Sequence, residues 1–169
     1  VSIALVNHEI GVIQPIAEIA RLAHEKGVLV HADCAQALGK TTLDMNALGV
    51  DLASFSAHKA HGPMGIGALF IRRGAALTPL ITGGGQEMGL RAGTVPLPLA
   101  VGFGTAARIA RAATESDRAR IGALRDRLLQ RLSVGIPDLV VNGSMSRRAA
   151  GNLNLSLPAV DAETLLLEL

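Results

Sequence analysis

Three short apolar runs constrain this chain more than any other feature. VSIALV at 1–6, VLV at 28–30 and LASF at 52–55 are too short for helices, and each runs directly into polar side chains. A helical signature lies between the first two. Pro15 suits a first turn, Ile16, Ile19, Ala20 and Ala23 fall at i, i+3, i+4 and i+7, and Gly27 is placed to end the helix. Buried strands alternating with helical segments predict βαβ units and a parallel sheet, so the fold class is α/β. In such a sheet the strand ends gather along one edge, the carboxyl edge, where open α/β sheets collect ligands. The polar groups that arrive there are Asn7-His8-Glu9, His31-Ala32-Asp33, and the cluster Ser56, His58, Lys59 and His61.

The rest of the chain extends this plan. A loop or short helix runs to Lys40, DMNALG makes a helical turn, and a further strand is expected at Ile66 to Ile71. After Arg73 comes a glycine-dense polar loop, with Gly83-Gly84-Gly85, Gly89, Gly93 and Thr94, whose backbone amides suit close approach to an anion. Glu87 and Arg91 are placed to organise that loop or a subunit interface. An alanine-rich helix is predicted over 98–113, and a second over 116–132 with Ile121, Leu124, Leu128 and Leu132 on one face. The character of the chain changes between them, which divides it into 1–113, part of a larger domain, and 114–169, part of a smaller one. Leu139 to Val141 and Leu153 to Leu157 read as strands of the smaller unit, and Asp161 caps a last helix. Val1 opens inside an apolar run without an initiator Met, and the helical pattern DAETLLLEL reaches Leu169 without a capping glycine. Both ends read as those of an internal piece of a longer protein.

Composition removes several function classes. With a formal net charge of +2, dispersed arginines, three Phe and no Trp or Tyr, the chain has neither a basic stripe nor stacking platforms for nucleic acid. Its apolar runs fall far short of the ~18 consecutive residues of a membrane span. One cysteine, Cys34, cannot form an internal disulfide, which fits a reducing cytoplasm. No metal-ligand cluster is predicted.

Lys59 has two open readings. Beside His58 and His61 and near apolar walls, its charged form is disfavoured, which suits a nucleophilic amine and Schiff-base chemistry; alternatively it is a solvated lysine in a turn. Asp33 likewise is either a turn carboxylate or a partner for Lys59 on the neighbouring strand end. An imine-forming lysine and a carboxylate that keeps a heteroaromatic nitrogen protonated are the two fixed needs of pyridoxal phosphate (PLP) catalysis.

Four segments occur together and in order: VNHEIGVIQPI, HADCAQALGK, SFSAHKAHGPMGIGALFIRR and GGGQEMGLRAGT. Together they resemble the cysteine desulfurases of the NifS and IscS type, in the class V aminotransferase family of fold-type I PLP enzymes. The resemblance covers essentially the whole chain. It implies a mostly parallel sheet of a PLP-binding large domain and the start of a small α+β C-terminal domain. It implies further that Lys59 carries PLP as an internal aldimine, Asp33 pairs with the pyridine nitrogen, Gln36 contacts the ring hydroxyl, and Ser56 and His58 bind the phosphate. Thr94 is expected to bind the phosphate of the partner subunit's cofactor, so that the site is completed in a homodimer.

The implied reaction converts L-cysteine to L-alanine, with the sulfur passed to an enzyme persulfide and on to an acceptor or iron-sulfur scaffold protein. Two positions depart from the family pattern: His8 stands where Asn is common in contact with the ring hydroxyl or substrate, and Met64 where Lys is usual. Cys34, beside Asp33, reads as a small buried side chain and not as the sulfur carrier, whose loop is expected beyond Leu169. His24 is expected to be a solvated histidine on a charged helix face. Alternatives sharing the cofactor residues are a selenocysteine lyase, an aminotransferase, or an inactive PLP-fold fragment, and the isolated piece is expected to turn over little.

Overall fold

The computed structural model describes residues 1–158 and 160–168. The last position of the predicted C-terminal helix, Leu169, lies outside the described residues. The elements follow as β1 (Ser2–Ala4), α1 (Ile16–His24), β2 (His31–Asp33), α2 (Met45–Leu48), β3 (Leu52–Ser56), β4 (Gly67–Ile71), α3 (Leu97–Gly135), β5 (Val140–Val141), β6 (Leu155–Ser156) and α4 (Ala162–Glu168). A 3₁₀ turn, Ala57–Ala60, follows β3, and a second, Gln86–Gly89, lies in the glycine-dense loop.

The main sheet has the order β1-β2-β3-β4. β1, β2 and β3 are parallel, and β4 folds back antiparallel on β3. This is the mostly parallel α/β sheet that the alternating pattern predicts. One face is the core: Ala32 and Ala53 are fully buried, Ile3, Phe55 and Phe70 pack beside them, and Ile16 and Ala20 of α1 close over them. Burial of such side chains contributes ~1.5–3 kcal/mol each for the larger ones. The opposite face is polar. His31 bonds through Nδ1 to Ser2 Oγ (2.8 Å) and through Nε2 to Ser54 Oγ (3.1 Å), tying three strands together.

Several elements differ from the sequence prediction. The second strand forms at His31–Asp33, not over 28–30, because Val28 N–H closes the end of α1 on Ala23 O and Val30 N–H is taken by the Asp51 carboxylate. β1 stops at Ala4, and Val6 bridges antiparallel to Ile13 instead. The two predicted helices over 98–113 and 116–132 are one helix, α3, so the expected 113/114 division falls inside it. Nothing between them breaks the backbone: Thr114 and Ser116 turn their hydroxyls onto Ala110 O (2.7 Å) and Ala113 O (3.0 Å).

His24 is not a free surface histidine. Its Nε2 lies 2.8 Å from Asp51 Oδ2, which also accepts Val30 N–H at 2.8 Å. Burial alone would push the Asp51 carboxyl up, but the hydrogen bonds from His24 and Val30, with the nearby His24 and Arg72 charges, hold it below the usual carboxylate range. Asp51 thereby locks α1, β2 and the start of β3 together.

Local chemistry explains the remaining ends. Asp44 accepts N–H bonds from Asn46 and Ala47 to start α2, and Gly49 ends it at φ +69. Asp161 Oδ2 accepts Thr164 N–H at 2.8 Å and starts α4 as predicted. β5 and β6 pair antiparallel at the two expected strand positions. Among the described residues no helix is long and apolar enough to cross a membrane.

Candidate active site

Lys59 is set by the turn that ends β3. Ala57 and Ala60 are buried and anchor the 3₁₀ turn, which leaves His58 and Lys59 on its exposed side. Ala57 N–H reaches Ile66 O (3.2 Å) and Gly62 N–H reaches Ala57 O (2.9 Å), so the loop between β3 and β4 is closed across its base. Position 62 is tight enough that any side chain would be crowded. A Cβ there would stand 3.0 Å from Ala57 O and 3.2 Å from the methyl of Ala106 on α3.

Lys59 opens onto a cavity of about 450 Å³ shared with His8, Gln36, Lys40 and His61. The facing wall is the small-residue side of α3, including Ala106 and Ala110. The two sides approach closely at Gly39, where an added Cβ would stand 3.0 Å from the methyl of Ala110. Gln36 accepts a hydrogen bond from Lys40 Nζ at 2.7 Å through Oε1. Burial, and then the charge of Lys59, lower the pKa of Lys40.

The other predicted residues lie outside this lining. Asp33 ends β2, directly beside Ser54 in the parallel register, and is exposed on the polar sheet face. Its Oδ1 accepts Ala35 N–H (2.9 Å), and Oδ2 has no partner among the described residues. Ser56 Oγ lies 2.9 Å from His58 Nδ1, so those two form a pair just past β3. Thr94 is exposed in the glycine loop and has no side-chain hydrogen bond among the described residues. The loop is organised instead by Gln86, whose Oε1 accepts Gly93 N–H (3.1 Å), and by Arg91, which donates to Ala92 O (2.9 Å). The Glu87 side chain has no such role among the described residues, although its backbone sits at φ +50.

His8 rides on a clamped loop. Asn7 Oδ1 accepts the N–H groups of Glu9 and Ile10 (both 2.9 Å), and Gly11 turns the chain at φ +67. From the far end of the chain, Asn152 Nδ2 donates to Glu9 O (2.8 Å), while buried Arg148 donates to Asn152 Oδ1 (2.9 Å) and to Asn142 O. The His8 imidazole itself stays exposed, 3.6 Å from Glu9 Oε1. Sequence reasoning missed this clamp, and no local signal marks it. It also missed Lys40, for which a signal exists: Lys40 stands four residues after Gln36, the spacing of side chains that meet across one helical turn.

Cys34 is 0% exposed within the core, and burial, aided by the Asp33 carboxylate, pushes its thiol up to about 11. A protonated, buried thiol is a poor nucleophile. Among the described residues no group of three His, Cys, Asp or Glu side chains is arranged to hold a metal ion.

Comparison with known proteins places this geometry. Residues 1–169 match the family model described as aminotransferase class-V. The chain is 51% identical over 170 residues to a protein of Ehrlichia chaffeensis named cysteine desulfurase IscS, covering 99% of this chain and 42% of that protein. A solved NifS-like protein superimposes with a TM-score of 0.90 at 37% identity, over 97% of this chain and 45% of the other. The X-ray structure of a NifS-like protein from Rickettsia africae gives 0.91 at 31% identity, over 98% of this chain and 46% of the other. The chain thus spans less than half the length of the curated relatives it matches. A parallel sheet with a lysine past the end of β3 and an aspartate at the end of β2, matched along its whole length by one family model, makes this chain a member of the class-V aminotransferase family.

Proposed function

We propose that this chain forms the cofactor-holding part of a PLP-dependent cysteine desulfurase that converts L-cysteine to L-alanine. The observation that carries the reading is the placement of Lys59 and Asp33 just past and at the carboxyl ends of adjacent parallel strands, β3 and β2. The names of the matched relatives point the same way.

The residues present fit PLP. Lys59 reaches an open cavity, Asp33 keeps an acceptor oxygen free, and Ser56 with His58 offers adjacent hydrogen-bonding groups. Bound PLP supplies the electron sink for cleavage at the substrate's α-carbon and for loss of its sulfur. Lys59 would tether the cofactor and, once displaced by the substrate amine, carry the α-proton through Nζ. The Asp33 carboxylate would keep the ring nitrogen protonated. Gln36 and His8 would orient the ring oxygen and substrate, and Ser56 and His58 would hold the phosphate. Cys34 cannot serve as the attacking thiolate, so that group must come from elsewhere in the protein.

The finer reading has four further parts: a large-domain portion at 1–113 with a small-domain portion at 114–169, a homodimer in which Thr94 meets the partner subunit's cofactor phosphate, a cytoplasmic setting, and a sulfur-acceptor or iron-sulfur scaffold partner. Leu80 (99% exposed) and Met88 (91%), apolar side chains on the same loop as Thr94, support coverage of that loop by a second copy.

The test uses the full-length protein. Mixed with PLP it should develop a visible absorption band that Lys59→Ala abolishes, and it should release alanine and sulfur from L-cysteine in equal amounts. A band without alanine formation would refute the desulfurase assignment; no Lys59-dependent band would refute the cofactor assignment.

A further inference from the structure

Lys40 is a group in the cavity that the proposed chemistry leaves unused, and its bond to Gln36 has a directional consequence. An ammonium only donates hydrogen bonds, so the Gln36 amide must turn its oxygen toward Lys40 Nζ, 2.7 Å away. The amide nitrogen is then the end of Gln36 left free, and it can only donate. A ring oxygen meeting that donor is stabilised in its anionic form. Were the amide reversed, its oxygen would face the ring oxygen and favour the protonated form instead.

We propose that Lys40 is a positioning residue that fixes the orientation of the Gln36 amide, so that Gln36 presents N–H to the ring oxygen of the cofactor held by Lys59. The inference rests on the PLP reading above. Lys40 is half-buried, so its bond to Gln36 is shielded from competing water. The other titratable groups on the cavity are Lys59 and His61 from the loop after β3, His8 from the loop after β1, and Asp117 and Arg118 from α3. Of these, none is hydrogen-bonded to Gln36 among the described residues. Burial and the charge of Lys59 lower the pKa of Lys40.

The experiment is a pH titration of the visible band of the PLP-loaded full-length protein. Loss of the oriented donor destabilises the deprotonated state of the Lys59-linked cofactor, so Lys40→Met should raise the midpoint by about one pH unit, equivalent to ~1.4 kcal/mol. Lys40→Arg, which keeps the donor and charge, should restore at least half of that shift. A through-space effect of the Lys40 charge is separated by a double-mutant cycle. In a Gln36→Ala background, Lys40→Met should lose at least half of its effect. An undiminished shift in that background, or no shift in the single variant, overturns the assignment. If Lys40→Met fails to fold, Lys40→Gln takes its place in the same cycle. A band insensitive to Lys40 refutes this inference alone, whereas absence of any Lys59-dependent band in the unsubstituted protein refutes the PLP reading and this inference with it.

Discussion

Replacing Asp51 with alanine tests the lock that holds the three elements beneath the site. Loss of the Asp51 side chain leaves Val30 N–H, on a residue 0% exposed, without its acceptor, and an unsatisfied buried donor costs ~1–3 kcal/mol. The His24 contact adds ~0.2–1 kcal/mol, at the low end because that imidazole remains partly exposed. Relief of carboxylate desolvation offsets part of this, so the net loss is about 2 kcal/mol. Urea unfolding of the full-length protein near neutral pH should show a midpoint lower by ~1 M in Asp51→Ala. The pH dependence has a definite sign. The folded-state pKa of Asp51 is depressed, so its contribution is complete above the unfolded value of ~3.9 and is lost as pH falls through the folded value. The gap between the two proteins should therefore hold down to about pH 5 and narrow below about pH 4. Equal midpoints near neutrality, or a gap that widens on acidification, would refute the reasoning.

Gly11→Ala should destabilise the His8 loop by about 3 kcal/mol: ~1–2 for a left-handed backbone at φ +67, and the rest from displacing Asn152, whose Cγ would lie 2.3 Å from the new methyl. An unchanged melting temperature would show that the clamp does not hold that loop. Cys34 should resist thiol reagents in the native protein and react only on unfolding, as followed by mass spectrometry of its peptide. Cys34→Ala should retain alanine production while losing ~1 kcal/mol of stability, and rapid native labelling would contradict its buried, protonated state.

What was legible in the residues was mostly local. The strand over 52–55, the turn with Lys59, the helical turn in DMNALG and the Asp161 cap each depend on neighbours within a few positions, and all stand where the pattern puts them, the strand running one residue further to Ser56. The second strand was displaced because the Val30 amide goes to a side chain from a distant segment, which no local propensity encodes. For the same reason the polar ladder through His31 and the Arg148–Asn152 clamp went unread. The single span of α3 was misjudged for the opposite reason: a change in composition at 113–116 looked like a boundary, yet Thr114 and Ser116 satisfy their hydroxyls on the same helix. Of the site, the turn carrying Lys59 and the strand end carrying Asp33 were readable, while the link from Lys40 to Gln36 emerged only once the side chains had coordinates.

The antiparallel return of β4 has a thermodynamic consequence. Because Ser56 pairs with Gly67 and Ala57 with Ile66, the loop bearing Lys59 is fastened at both ends to the sheet before any ligand arrives. Ordering a backbone residue costs ~1–2 kcal/mol, and for this loop that cost falls on folding rather than on binding. Affinity for whatever Lys59 captures is therefore spared the entropy of organising its carrier, and the empty and loaded proteins should share one backbone there.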